Sequence, residues 1–136
     1  MNVERCHEVS PEIAELWEHA VKRLETHRGG SELYATIRGS SPEEGLLAAL
    51  VDLGAVWTAN DREGVLALAI VRGDIVEGLF VDPDRRRQGV ATTLLRALVA
   101  SSTPPKDGYA LPGDRGMKSL YESFGWKARL LTMRGE

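Results

Sequence analysis

The chain predicts an α/β sandwich, with a central mixed, mostly antiparallel sheet and helices on both faces. Three observations predict it. Val65 to Val71 is a nearly continuous apolar run of strand length, the pattern of a strand buried at the centre of a sheet. A second run, Ile75 to Val81, follows it after the turn Arg72-Gly73-Asp74. Helical stripes flank this pair: Ile13, Leu16, Trp17, Ala20, Val21 and Leu24 before it, and Ala91, Leu94, Leu95 and Leu98 after it.

Taken in order, Val3 to Val9 reads as a short strand, and Ser10-Pro11 supplies an N-cap and first-turn pair for the first helix. Arg28-Gly29-Gly30 ends that helix. Ser31 to Ser40 carries no decisive pattern. Ser41-Pro42-Glu43-Glu44 repeats the start signal for a second helix running to about Leu53. Ala55 to Ala59 is the next strand, turned by Asn60 to Gly64 into the apolar run already described. After Ile75 to Val81, a helix from Gly89 to Ala100 returns across the sheet and stops at Thr103-Pro104-Pro105. This makes Ile75 to Leu111 a strand, crossover helix, strand unit with parallel strands. Tyr109 to Leu111 is its short second strand, Asp114 caps the last helix, and Trp126 to Met133 is expected to close the sheet.

The 136 residues are expected to form one domain spanning 1–136, with 43% hydrophobic and 27% charged content of ordinary globular kind. A net charge of −3 argues against a nucleic-acid partner, which would need a broad basic surface. No run is long and apolar enough for a membrane partner, and Met1-Asn2-Val3-Glu4 opens nothing like a signal peptide, so a cytoplasmic location is expected. The one cysteine, Cys6, excludes an intramolecular disulfide and a multi-cysteine zinc site, and no metal is expected. Cys6 and His7 are adjacent on a strand and point to opposite faces, so they make no nucleophile and base pair. His19 and His27 read as solvated.

The chemistry concentrates between Val81 and Leu95, VDPDRRRQGVATTLL. A strand feeds a Pro turn, a basic loop and a helix whose first N–H groups lack intrahelical partners, an arrangement that attracts anions. Gly89 stands at the loop-to-helix junction, where a missing Cβ permits unusual dihedrals and close approach of a ligand. Arg85, Arg86 and Arg87 read equally as a solvated turn or as part of that site. A triphosphate site is disfavoured, because the loop lacks the Gly-x-x-x-x-Gly-Lys-Ser/Thr pattern.

Arg86-Arg87-Gln88-Gly89-Val90-Ala91 resembles the Arg/Gln-x-x-Gly-x-Gly/Ala signature of the Gcn5-related N-acetyltransferase (GNAT) superfamily, placed after a strand as that signature is. Leu120-Tyr121-Glu122-Ser123-Phe124-Gly125-Trp126 is similar to its second motif, Leu-Tyr-Glu-x-x-Gly-Phe, with Trp126 at the usual Phe position. The match covers roughly Val65 to Trp126. The resemblance implies a GNAT-like fold and an enzyme that transfers the acetyl group of acetyl-CoA, with coenzyme A as product. The transfer would go directly to a primary amine of a small molecule or peptide, in a ternary complex. It also implies that the two parallel strands splay and admit the pantetheine arm between them, and that such enzymes often pair as homodimers. A non-catalytic acyl-CoA-binding module of the same fold is the alternative. Neither the acceptor nor the preferred acyl length is named by any residue.

Under that resemblance the cofactor would be held by Phe80 and Val81 of the strand and by Arg86, Arg87, Gln88, Gly89, Val90, Ala91 and Thr92 of the loop and helix. The Val81 N–H is the nominated oxyanion donor. Tyr121 takes the motif's general-acid position, since a phenol both donates and accepts a proton; by spacing alone it is a core aromatic on the last helix. Glu77, the one charged residue in Ile75 to Val81, reads as a general base with a raised pKa, a substrate ligand, or a rim glutamate. Asp114 stands where the family often has a cofactor-reaching Asn, and it reads better as a cap than as a neighbour of phosphates. Gly78 marks a bulge or a packing glycine. Glu12, Glu15, Glu25 and Glu32 add acidity that fits a cationic amine or ordinary surface charge.

Overall fold

The computed structural model describes residues 1–86 and 88–135. Five strands form one sheet in the order β1 (Asn2–Arg5), β2 (Val56–Asp61), β3 (Gly64–Arg72), β4 (Ile75–Val81), β5 (Asp107–Gly108). The first three pairings are antiparallel and β4–β5 is parallel. Helices α1 (Pro11–Glu25), α2 (Gly30–Arg38) and α3 (Leu46–Asp52) cover one face, while α4 (Val90–Val99) and α5 (Arg115–Ser123) cover the other. This is the predicted mixed, mostly antiparallel sheet between two helical layers.

Alternation along β3 builds both layers. Leu68 and Ile70 enter the core under α1 to α3, whereas Ala67 and Ala69 face the α4 side. Small residues there let α4 sit close, and its Val90, Leu94, Leu95 and Leu98 are all buried. Val90 takes the buried place expected for Ala91, which instead turns half-exposed toward a cavity. Ser10 caps α1 by accepting from the Ile13 N–H at 3.2 Å, and Asp114 caps α5 from the Met117 N–H at 3.0 Å, both as the sequence predicts.

Several boundaries differ from expectation. Most of the ambiguous Ser31–Ser40 stretch, through Arg38, lies in α2, whose N-cap is a left-handed Gly29 with no side-chain cap. The next helix begins after Gly45, not at Ser41-Pro42. The last strand pairs at Asp107–Gly108 rather than at Tyr109 to Leu111. No strand forms over Trp126 to Met133; Leu130, Leu131 and Met133 are exposed. The physical reason lies in β5: two paired residues offer too short an edge to template another strand.

Candidate functional site

β4 delivers the chain into the basic loop. Asp82 accepts from the Asp84 N–H at 2.9 Å and shapes a 3-10 turn, Pro83–Arg85. Arg85 leaves that turn for the β2–β3 hairpin, pairing with Asp61 and reaching Glu63 at 3.3 Å, and it also donates to Gln88 at 3.3 Å. The Arg85 guanidinium holds the Asp61 carboxyl below the usual carboxylate range. Arg85 therefore pins the loop. Arg86 lines a cavity, Gln88 is exposed outside its lining, and Arg87 lies outside the described residues.

Gly89 is the N-cap of α4 with φ +74°, a left-handed conformation that glycine adopts without strain. A Cβ built there would meet nothing within 4 Å, so the space above it is open. Intrahelical bonding starts with the Thr93 N–H on Gly89, at 3.0 Å. The N–H groups of Val90, Ala91 and Thr92 thus form the first-turn donor set of P-type anion sites, and all three residues line the cavity with Gly89.

The same cavity reaches Phe80 and Val81, where β4 presents its backbone. Val81 lies opposite Ala67, and the Asp82 N–H bonds to Leu66 C=O at 2.8 Å. That makes Ala67–Val81 a non-hydrogen-bonded antiparallel pair, so the Val81 N–H points away from β3 and toward the β5 side. Two residues back, Leu79 repeats the geometry opposite Ala69. β5 does not reach either of them, because its pairing ends at Val76–Gly108. The strands part there, leaving a seam of unpaired backbone.

Tyr121 stands at that fork. Tyr109 donates its N–H to Val76 C=O at 3.0 Å, but its own C=O, which a continued parallel ladder would bond to β4, accepts from the Tyr121 hydroxyl at 3.2 Å. The ring rests on Gly108, where a Cβ would come within 2.3 Å of it, and stacks on Trp126 at 5.2 Å with planes 4° apart. Burial pushes the phenol pKa up, with Asp114 adding to the shift, so the hydroxyl holds its proton. Tyr121 does not itself line the cavity.

Glu77 is the extra residue of a β-bulge, since Ile70 and Val71 pair with Gly78 and Val76. It is 5% exposed, and Arg72 takes both its oxygens, the second at 3.0 Å. Arg72 also donates to Thr36 C=O of α2 at 2.7 Å. Glu77 lies outside the cavity lining, and its ion pair holds the Arg72 guanidinium in its charged form. Next to it, Gly78 leaves room for the Phe80 ring, which a Cβ would meet at 2.7 Å.

The cavity measures about 530 Å³ and is walled opposite the phosphate loop by α1. Leu16, Ala20 and Leu24 floor it, while His19, Arg23 and His27 stand on successive turns along its edge. His19 is exposed, as the sequence predicts, and His27 is half-buried; both also border the cavity, beside the apolar stripe of α1.

The family model for the acetyltransferase (GNAT) domain matches residues 52–128. No curated protein sequence matches the chain. Among solved structures, the chain is similar to the apo aminoglycoside antibiotic 6'-N-acetyltransferase AAC(6')-IG from Acinetobacter haemolyticus. The identity is 19% and the TM-score 0.58, covering 100% of this chain and 99% of that one. The ribosomal-protein-S18-alanine N-acetyltransferase from Escherichia coli matches at 18% identity and TM-score 0.55, over 91% of this chain and 76% of the other. Aminoglycoside N-acetyltransferase AAC(6')-Iy, solved in complex with CoA, matches at 16% identity and TM-score 0.55, over 99% of each chain.

Proposed function

The chain belongs to the GNAT acetyltransferase family, and from that premise we propose that it transfers acetyl groups from acetyl-CoA directly to a primary amine within a ternary complex. One observation carries the reading: the open β4–β5 seam and the bare first turn of α4 face one cavity. A seam of unpaired N–H and C=O suits the amide-rich pantetheine arm, and the α4 N-terminus suits its pyrophosphate.

Bound acetyl-CoA supplies a thioester carbonyl for the amine to attack. Each residue's part follows from its position. The first-turn N–H groups of α4, with Arg86, hold the phosphates; Arg87 and Gln88 belong to the same loop and complete the proposed contact set. Phe80 and Val81 would carry the arm, and the Val81 N–H, which faces the seam, would be the donor to the oxygen that gains negative charge. Tyr121, whose raised pKa keeps its hydroxyl protonated, would protonate the thiolate as the C–S bond breaks and would regain a proton from the newly acetylated amine. Glu77 acts as a positioning residue: with both oxygens on Arg72, it fixes the bulge in β4 and ties it to α2. The proposed acceptor is an amine of a small molecule or peptide, in keeping with the aminoglycoside and ribosomal-protein acetyltransferases whose structures it resembles.

Calorimetric titration of acetyl-CoA into the protein, beside Gly89→Asp, tests the reading. Binding near micromolar, about −8 kcal/mol, that the variant loses by more than about a hundredfold is expected. Wild-type protein that binds no acetyl-CoA overturns the reading. Binding without thiol release across a broad amine panel favours a non-catalytic acyl-CoA-binding module instead.

A further inference from the structure

The acceptor side of the cavity has a charge character of its own. Among the described residues lining it, Asp114 is the one carboxylate, and one of its oxygens caps α5. Against it stand Arg23, Arg86, His19 and His27, with Arg85 already matched by Asp61 and Glu63. The glutamates that the sequence offers as an acidic lure do not line the cavity. Glu12 accepts from the Val65 N–H at 3.2 Å, and Glu15 sits outward on α1, 3.9 Å from His19.

The row along α1 and just past its end is also separate from the phosphate cradle. Glu12 touches the β2–β3 hairpin end, to which Arg85 anchors the loop. Leu24, in the last turn of α1, lies twelve residues further along, about 18 Å of helix axis away, and His27 follows just past the helix end. There the chain turns through Gly29, which packs against Leu111 and Pro112 beyond β5. The Arg23–His27 end of the row therefore lies toward the fork of β4 and β5, away from the loop. His27 is preset: its Nδ1 lies 2.8 Å from the Arg23 carbonyl, which can only accept, so Nδ1 carries the proton and Nε2 is the free ring position.

We infer that the acceptor amine also carries an anionic group, a carboxylate or a phosphate, seated against His19 and Arg23 of α1 and His27 just past its C-terminal end. Arg23 offers forked donors to such a group, with His19 and His27 beside it along the same wall. A polycationic acceptor meets Arg23 as like charge on this wall, which carries no carboxylate of its own. The inference rests on the acetyl-transfer reading and deepens it.

The test uses protein saturated with coenzyme A, so that the phosphate cradle is filled. O-phosphoethanolamine, β-alanine, ethanolamine and kanamycin are titrated in, following the His19 and His27 ring resonances, and the same amines are assayed with acetyl-CoA by thiol release. The two anionic amines are expected to move the His27 resonances and to be the better acceptors. Arg23→Glu should weaken them by about tenfold or more while leaving coenzyme A affinity unchanged. Tighter binding of kanamycin, equal binding of the anionic amines in Arg23→Glu, or no response to them at tens of millimolar each overturns the inference with the acetyl-CoA reading intact. Failure of coenzyme A itself to bind overturns the underlying reading, and this inference with it.

Discussion

β4 has two edges that behave differently. Along β3 it is paired from Ile75 to Val81, interrupted by one bulge; along β5 it is paired at Ile75 and Val76 and then released. The strand is the same, and so are its backbone groups. A ladder spends those groups on holding the sheet together, whereas a ladder that stops leaves them for a ligand. In this molecule the place of chemistry is made by ending a secondary structure, and Tyr121 marks the end by taking the carbonyl that the ladder would have used.

The sharpest way to break this comparison is proline at two adjacent positions. Phe80 lies opposite Leu68 in the hydrogen-bonded pair next to Ala67–Val81, so Phe80→Pro removes a ladder bond and should cost about 3 kcal/mol or more by denaturant unfolding. Val81→Pro removes an N–H that faces the seam. It should keep the fold by circular dichroism and lower turnover by about a hundredfold. Equal loss of fold in both would mean that the two edges are not distinct.

Tyr121→Phe sharpens the chemical half. Turnover should fall by about a hundredfold, while unfolding free energy drops by only about 1 kcal/mol for one lost hydrogen bond. The raised phenol pKa adds a pH signature. Its stabilising contribution is complete below the unfolded value near 10 and is lost as pH rises through the folded value. Wild-type stability should therefore fall more steeply above about pH 10 than that of Tyr121→Phe, which thermal melts across alkaline buffers would reveal.

The paired edge is tested more gently by Glu77→Ala. The carboxylate is nearly buried, but the Arg72 side chain is 32% exposed and can rehydrate, so a loss of about 2 kcal/mol is expected, below that of a fully buried pair. The smallest effect belongs to the released side of the sheet. Ending the chain after Trp126 removes exposed, unpaired residues and should change the melting free energy by less than about 0.5 kcal/mol.

What could be read in the sequence was local. Strand, loop and α4 follow one another within the twenty-five residues from Ile75 to Val99, and an alternating strand, an αL glycine and an apolar stripe each leave their mark in composition. The caps Ser10 and Asp114 were legible for the same reason. α2 was not, because it buries only Gly30, Leu33 and Ile37 and starts at a glycine that caps through conformation alone. The strand expected from Trp126 to Met133 had apolar residues enough but lacked an edge to pair with, and edges are tertiary facts. Of the site, the phosphate loop was readable; the Glu77–Arg72–Thr36 connection and the α1 wall depend on how layers meet.

The tie between Arg85 and the β2–β3 hairpin has a consequence for kinetics. Arg85 has its charge cancelled at home by Asp61 and Glu63, so an approaching polyanion feels a weaker long-range field than the arginine run implies. Capture then depends less on steering across a Debye length of about 8 Å and more on donors met at contact. Raising ionic strength should slow association only mildly, a behaviour suited to a site that reads its ligand by shape after arrival.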